Sequence, residues 1–202
     1  MILAFDTATP ACTAALFAAD GSLIDRRDEV MTRGHAERLV PMLETLLGRH
    51  RPSAILVGCG PGSFTGLRVG IAAAHGLALG WNIPVAGFAT CALLAAGVPG
   101  DGPLGIALTG GHGELFVQQF DRAPLRATSE LVNLPVAKAA AFITAHRVAG
   151  PAAAALIAAR GAGEAIDRLP AAADVMALPE PLRRAAPRPL YIREPDARPR
   201  AA

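Results

Sequence analysis

The sequence predicts an α/β protein assembled from two unequal repeats. Three observations carry this expectation. The first hundred residues read as three short strands, a helix, a strand, a helix and a strand. A glycine-rich turn, Gly58-Cys59-Gly60-Pro61-Gly62-Ser63-Phe64-Thr65-Gly66-Leu67-Arg68-Val69-Gly70, joins an apolar strand to a long alanine-rich helix. After the turn formers Pro99-Gly100-Asp101-Gly102-Pro103, the order partly repeats in shortened form. The expected organisation is a first lobe over 1–98, a linker over 99–103, and a shortened second lobe over 104–202 ending in a proline- and arginine-rich tail.

Residues 2–6, Ile-Leu-Ala-Phe-Asp, form a short apolar strand that ends on an acid. Thr7-Ala8-Thr9-Pro10 is a turn, and residues 11–17 return as a second strand. Asp20-Gly21 is a hairpin signal, and 22–30 supplies a third strand. In 35–47, Ala36, Leu39, Val40, Leu43, Leu46 and Leu47 recur at helical spacing. Pro41 lacks an amide proton, so the helix kinks there or begins near it. Residues 54–57 form the buried strand before the glycine-rich turn. The following helix, over 66–80, carries Gly66, Gly70, Ala74, Gly76 and Gly80 as small faces for close approach. A strand over 83–87 and a short helix over 90–96 complete the first lobe.

In the second half, 104–109 and 114–120 read as strands around the turn Gly110-Gly111-His112-Gly113. A helix over 137–145, a strand over 147–150 and a helix over 152–160 follow. Prolines at 179, 181, 187, 189, 195 and 199 argue against long regular structure beyond 179.

Composition narrows the function classes. Hydrophobic residues make up 52% of the chain, yet much of this is alanine, and aromatics are only 4%. No apolar run reaches the length of a membrane span. The opening residues carry no basic region and meet Asp6 at once, so a signal peptide is not expected. Cys12, Cys59 and Cys91 show no C-x-x-C spacing, which removes a zinc ribbon and a disulfide framework. A cytoplasmic protein is expected. The net charge of +2 does not signal nucleic acid. Eighteen of the nineteen basic residues are arginine, with Lys138 the only lysine, and six arginines fall in the last twenty residues. Such a tail can contact phosphates, or be solvated, or meet a protein partner.

The strand, glycine-rich turn and helix present backbone amides at the positive end of a helix, a generic anion-binding geometry. Equally, the glycines can serve only to bring helix and sheet close. The turn is not a P-loop, since it has neither the glycine spacing nor a lysine. Pro61 replaces the first glycine of G-x-S-x-G, so it is not a nucleophile elbow. The five histidines never stand at H-x-x-x-H or H-E-x-x-H spacing, so neither a metallopeptidase nor a helical metal site is supported. Catalytic and metal-ligating residues are therefore not assigned. Ser63 and Thr65 are expected to cap the second helix. Arg68, in its first turn, opposes the helix dipole and hints at an anion or carboxylate nearby. Asp6, Thr7 and Thr9 offer a carboxylate and two hydroxyls, suited to Mg²⁺ and phosphate and equally to a plain turn.

Three motifs in order carry a family resemblance: Ile2-Leu3-Ala4-Phe5-Asp6-Thr7-Ala8-Thr9, His35-Ala36-Glu37-Arg38-Leu39-Val40-Pro41, and Gly60 through Arg68. They closely resemble the TsaB (YeaZ) family, bacterial accessory subunits for making N6-threonylcarbamoyladenosine at position 37 of tRNA. The resemblance covers 1–98. Gly113-Glu114-Leu115-Phe116 and Pro189-Leu190-Tyr191-Ile192-Arg193 extend it more weakly. It implies two tandem ribonuclease-H-like lobes of the actin-like ATPase superfamily, the second abbreviated. It implies a non-catalytic scaffold that works through the catalytic paralogue TsaD, is joined by the ATPase TsaE, and reaches tRNA indirectly. A second copy of the chain is the alternative occupant of the partner surface, and the sequence leaves open whether the chain alone is a homodimer.

By the same resemblance, the helices over 35–47 and 66–80 form the partner surface, with His35, Leu39, Leu43, Leu46, Arg68, Gly70, Ala74 and Leu77 as its residues. Packing of both helices on their own sheet alone accounts for part of these stripes. Asp6, Thr7, Thr9 and Glu114 would be a vestigial nucleotide site, with Mg-ATP bound weakly or only at a complex interface. The stretch Thr109-Gly110-Gly111-His112 lacks the acid that relatives usually carry before G-E, which weakens nucleotide binding by this chain alone. The competing expectation is a free-standing ATPase or carbohydrate-type kinase that uses Asp6 and Glu114.

Overall fold

The computed structural model describes residues 1–192. Its first sheet is built from β1 (Ile2–Asp6), β2 (Ala11–Phe17), β3 (Leu23–Val30), β4 (Ala54–Gly58) and β5 (Val85–Phe88). The strand order is β3-β2-β1-β4-β5. β1 pairs antiparallel with β2 and parallel with β4, so it is the central strand. Helices α1 (His35–Leu47), α2 (Phe64–Trp81) and α3 (Thr90–Gly97) cover the faces. β1 and β2 are buried almost throughout and mainly apolar, with Asp6 and Thr13 the polar residues, because both faces are covered. β3 alternates partly buried and exposed residues, as an edge strand with one wet face does.

The second sheet uses β6 (Leu104–Thr109), β7 (Glu114–Arg122), β8 (Leu125–Ala127), β9 (Val132–Pro135), β10 (Arg147–Ala149) and β11 (Glu164–Ile166), with α4 (Val136–Phe142) and α5 (Ala153–Arg160). Its order is β11-β10-β6-β7-β8, and β9 also pairs with β7. β6–β7 is antiparallel, while β6–β10 and β10–β11 are parallel. This repeats the pairing of the first sheet strand for strand. The protein is a two-lobe, ribonuclease-H-like structure of the actin-like type, its second lobe built from shorter elements.

Most expected elements are present, and the differences have local causes. α2 begins two residues early because the Ser63 hydroxyl accepts the Gly66 amide at 3.3 Å. α1 runs straight through Pro41, which lies on the exposed side. α4 stops at Phe142, since the amides of Thr144 and Ala145 are taken by Gln119 Oε1, each at 2.9 Å. The strands β8, β9 and β11, and the 3₁₀ turns Ala172–Ala177 and Glu180–Arg183, are too short to leave a periodic signal. No helix among the described residues is long and apolar enough to cross a membrane.

Two apolar layers sandwich the first sheet. On one face Leu39, Leu43 and Leu46 of α1 and Ile71 and Ala74 of α2 meet Leu3, Phe5 and Val57. On the other, Ala4, Phe17 and Phe88 join Leu93 and Leu94 of α3 and then Leu104, Ile106 and Phe120 of the second lobe. This second layer is continuous across both lobes. The linker at Pro99 is also held, since Arg122 Nη1 and Arg147 Nη1 each donate to its carbonyl at 3.1 Å.

The expected extent of the second lobe needs one correction. Its sheet ends at Ile166, and the chain then returns to the first lobe. The Ala172 amide donates to Thr13 Oγ1 at 2.7 Å. Ala185 exchanges two backbone hydrogen bonds with Gly87 on the β5 edge, at 2.7 and 3.0 Å. The proline-rich run is thus a strap across the first sheet. Arg193, Arg198 and Arg200 lie outside the described residues.

Candidate functional site

Between the lobes lies an open cleft of about 1000 Å³. One wall carries Ala8, Thr9 and Pro10, the segment before α1, and Gly62 to Arg68 at the start of α2. The facing wall is Leu108 to His112 after β6, with Phe116 and Pro151. Leu190, Tyr191 and Ile192 of the strap close one side.

The turn after β1 does not offer the cleft a carboxylate. Asp6 is fully buried. Its Oδ1 accepts the Ala8 amide at 2.6 Å and its Oδ2 accepts the Thr90 hydroxyl at 2.6 Å. Burial raises its carboxyl above the usual aspartate range, against the lowering effect of those bonds. Thr7 is buried as well and donates to the Gly66 carbonyl at 2.7 Å. Thr9 Oγ1 accepts the Ala11 amide at 3.2 Å, and its own carbonyl takes a 3.0 Å hydrogen bond from His35 Nε2. A carbonyl only accepts, so that ring nitrogen carries the proton. The polar side-chain atoms of Asp6, Thr7 and Thr9, expected as a vestigial phosphate loop, are thus engaged within the protein, with Ala8, Thr90, Gly66 and Ala11.

The glycine-rich turn explains that burial. A Cβ on Gly58 would stand 2.2 Å from Asp6 Oδ2, one on Gly62 2.0 Å from the Ala8 carbonyl, and one on Gly66 2.0 Å from the Thr7 carbonyl. The Ser63 amide meanwhile donates to the Ala8 carbonyl at 2.7 Å. The two loops are therefore zipped together, with the amides of Ala8, Ser63 and Gly66 each given to an acceptor within them. Of the two roles open to these glycines, the structure gives them close packing. Glu114, at the first residue of β7, accepts from the Asn133 side chain and lies away from Asp6, outside the cleft lining.

Arg68 has a partner that sequence reasoning missed. Tyr191 stacks on Phe64, with ring centroids 4.4 Å apart and planes within 5°. Arg68 Nε donates to the Tyr191 hydroxyl at 3.1 Å, and its guanidinium lies 5.0 Å from the Phe64 centroid. Because α2 starts at Phe64, Arg68 is its fifth residue and stands past the first turn, and no anion is needed to explain its place. The signal was present in Pro189-Leu190-Tyr191, but its target across the chain was not.

The helix pair needs a second correction. Leu39, Leu43, Leu46 and Ala74 are buried in this chain's own core, with Leu77 packed against the same cluster. His35 is buried at the cleft rather than presented on a helix face. Gly70 faces inward, where a Cβ would meet Thr7 Oγ1 at 2.5 Å. Of the eight residues assigned to the interface, only Arg68 is exposed. What the pair does present is a different apolar set: Val40 and Pro41 on α1, and Ala72, Gly76, Leu79 and Gly80 on α2. Leu79 is 86% exposed.

All three cysteines are buried and unpaired. Burial pushes the Cys12 and Cys59 thiols up to about 11, and Cys91 higher still.

Comparison with known proteins agrees with this architecture. The family model for TsaD, tRNA N6-adenosine threonylcarbamoyltransferase, matches residues 28–180. The Escherichia coli tRNA threonylcarbamoyladenosine biosynthesis protein TsaB is 44% identical over 101 residues, covering 48% of this chain and 43% of that protein. The Haemophilus influenzae protein of the same name is 41% identical over 90 residues, covering 42% and 37%. The chain thus spans less than half the length of the curated relatives it matches. A Pseudomonas aeruginosa crystal structure, described as an uncharacterized protein with similarity to peptidase YeaZ, superposes with a TM-score of 0.75 at 30% identity over 88% of both chains. With the motifs, the strand order and an 88% structural match in agreement, the chain belongs to the TsaB (YeaZ) family.

Proposed function

We propose that this chain is a non-catalytic accessory subunit in tRNA threonylcarbamoyladenosine biosynthesis, working in the cytoplasm through a TsaD-type catalytic partner. A TsaE-type ATPase would join the pair, and tRNA would be met through the complex. The observation that carries this reading is the state of Asp6. In a nucleotide-hydrolysing relative of this fold, a carboxylate at the end of the first strand must reach a metal and phosphate. Here it is walled in by Gly58 and bonded to Ala8 and Thr90. The amides of Ala8, Ala11 and Ser63 are given to oxygens of the two loops, so a phosphate recruiting them would have to break existing hydrogen bonds. The cofactor expectation that follows is no tightly held nucleotide, with Mg-ATP binding weak or completed only by a partner.

The exposed apolar strip from Val40 to Leu79 supports the partner-binding half of the reading. It would meet the matching helix pair of TsaD, or of a second copy when the chain is alone. Co-elution with TsaD from the same source, and loss of modified adenosine in tRNA on depletion, are the expected results. Absence of both removes the reading. A free-standing ATPase or kinase would instead show calorimetric Mg-ATP binding that Asp6→Asn abolishes.

A further inference from the structure

We propose that residues 188–192 form a releasable latch, held by Tyr191 on Phe64 and Arg68, that sets the open or closed state of one side of the inter-lobe cleft. This inference is independent of the accessory-subunit reading, because it concerns only how the strap is held.

The strap is anchored unequally along its length. Its first part is seated firmly: Ala185 makes two backbone hydrogen bonds to Gly87. Gly87 is itself a tight seat, since a Cβ there would meet Cys59 Sγ at 2.5 Å and the Ala186 carbonyl at 3.0 Å. His75 Nε2 adds a donation to the Pro187 carbonyl at 3.4 Å. The second part is held differently. Among the described residues beyond Pro189, one backbone hydrogen bond is made, from the Leu190 amide to the Cys59 carbonyl at 2.8 Å. The polar and ring contacts there are side-chain ones, the Phe64–Tyr191 stack and the Arg68–Tyr191 bond. Leu190, Tyr191 and Ile192 stay 39%, 44% and 37% exposed, so they lie on the surface and outside the core.

Pro187 and Pro189 fix two φ angles between these parts, and the Arg188 amide closes a tight turn on the Ala186 carbonyl at 2.8 Å, so the junction is stiff. Its release is a swing about the Pro187–Pro189 stretch, with little new freedom gained. The swing would remove one wall of the cleft. It would also free the Phe64 ring and the Arg68 guanidinium at the start of α2, next to the exposed helix face. Opening and closing would then couple the cleft to that face through Arg68.

Tyr191 is the chain's single tyrosine, and its emission is read in a Trp81→Phe background that removes the one tryptophan. Amide hydrogen exchange on the full chain, with acrylamide quenching of the tyrosine emission, provides the test. Tyr191→Ala is expected to speed exchange of the Leu190 amide, which is hydrogen-bonded to the Cys59 carbonyl, by about tenfold, the loss of one or two such contacts, and this amide is the readout. Exchange in β1 and β4 should stay within about twofold of the parent protein. Tyr191→Phe keeps the stack and removes only the Arg68 bond, so it should fall between the two. The proposal is overturned if the parent protein already exchanges this amide at the rate of a free peptide. It is equally overturned if Tyr191→Ala leaves it slow, or speeds the core strands as much as the strap. Should Tyr191→Ala fail to fold, the latch is more than a local attachment and the proposal fails on that ground. Tyr191→Phe and Arg68→Met then show which contact carries the fold.

Discussion

Gly58 and Asp6 are packed so closely that a methyl group on Gly58 would lie 2.2 Å from the Asp6 carboxylate. The first residue of the glycine-rich turn thus seals the acid at the end of the central strand. A phosphate cradle needs these two loops apart; here they are in contact. Gly58→Ala is expected to force the Asp6 side chain or the β4 end to move, at a cost of about 3 kcal/mol. Urea unfolding followed by circular dichroism measures it, and a loss below about 1 kcal/mol would mean the site relaxes more easily than its geometry implies.

Asp6 makes the fold respond to pH in a particular direction. Its carboxyl pKa is raised in the folded state above the unfolded value. The folded protein therefore holds this proton where the unfolded chain has released it. Stability from this group is complete below the unfolded pKa near 3.8 and declines as pH rises through the folded value. Asn at position 6 can still accept from Ala8, and its amide can donate to the Thr90 oxygen, without a charge to desolvate. The melting temperature of Asp6→Asn relative to the parent protein should rise between pH 4 and pH 8. A falling difference contradicts this account of Asp6.

The helix pair gives a contrast between an inward and an outward glycine. Gly70→Leu would drive a side chain into Thr7 and Val57, so it should destabilise the first lobe by about 3 kcal/mol or more. Gly76 meets nothing within 4 Å, so Gly76→Leu should fold at least as well, gaining about 0.5–1 kcal/mol of helix propensity. Leu79→Asp should likewise fold. Both should weaken self-association or TsaD pairing by tenfold or more in analytical ultracentrifugation. Unchanged pairing in both variants would move the contact elsewhere.

The buried thiols give a simple check on the core. With Cys12 and Cys59 near 11 and Cys91 higher, thiolate is scarce at pH 8 and access is blocked. Ellman's reagent should find less than one reactive thiol in the native chain and three after denaturation. Rapid native labelling of Cys59 would indicate that the strap over it opens further than its Gly87 seat allows.

Much of the fold was written locally. Alternation and apolar runs mark β1, β2 and β4, and the leucine spacing of 35–47 marks α1 to the residue. Ser63 was legible as a cap because a hydroxyl before a helix has few other roles. The second repeat was visible too, although β8, β9 and β11 were not, since three or four residues form no period.

The candidate site was less legible, because its meaning lies in contacts between distant segments. Asp6 beside Thr7 and Thr9 reads as a phosphate loop until Gly58, Gly62 and Gly66 are placed against it. The stripe of Leu39, Leu43 and Leu46 reads as a partner face until it is seen to fill the space over Phe5 and Val57. Periodicity tells that a helix has an apolar side, and cannot tell whether sheet or partner covers it. Arg68 finds Tyr191 across 123 positions, a pairing that no local pattern encodes.

By itself, then, the sequence determined the two-lobe α/β order, the motifs that carry the family resemblance and the place of the glycine-rich turn between strand and helix. Those follow from residue period, turn chemistry and motif spacing, which are local properties. Only the tertiary structure decided that this turn seals Asp6, that Gly70 looks inward, and that the proline-rich segment returns as a strap with Tyr191 at its end. Each of those is a long-range contact, set by which surfaces the close-packed core leaves open.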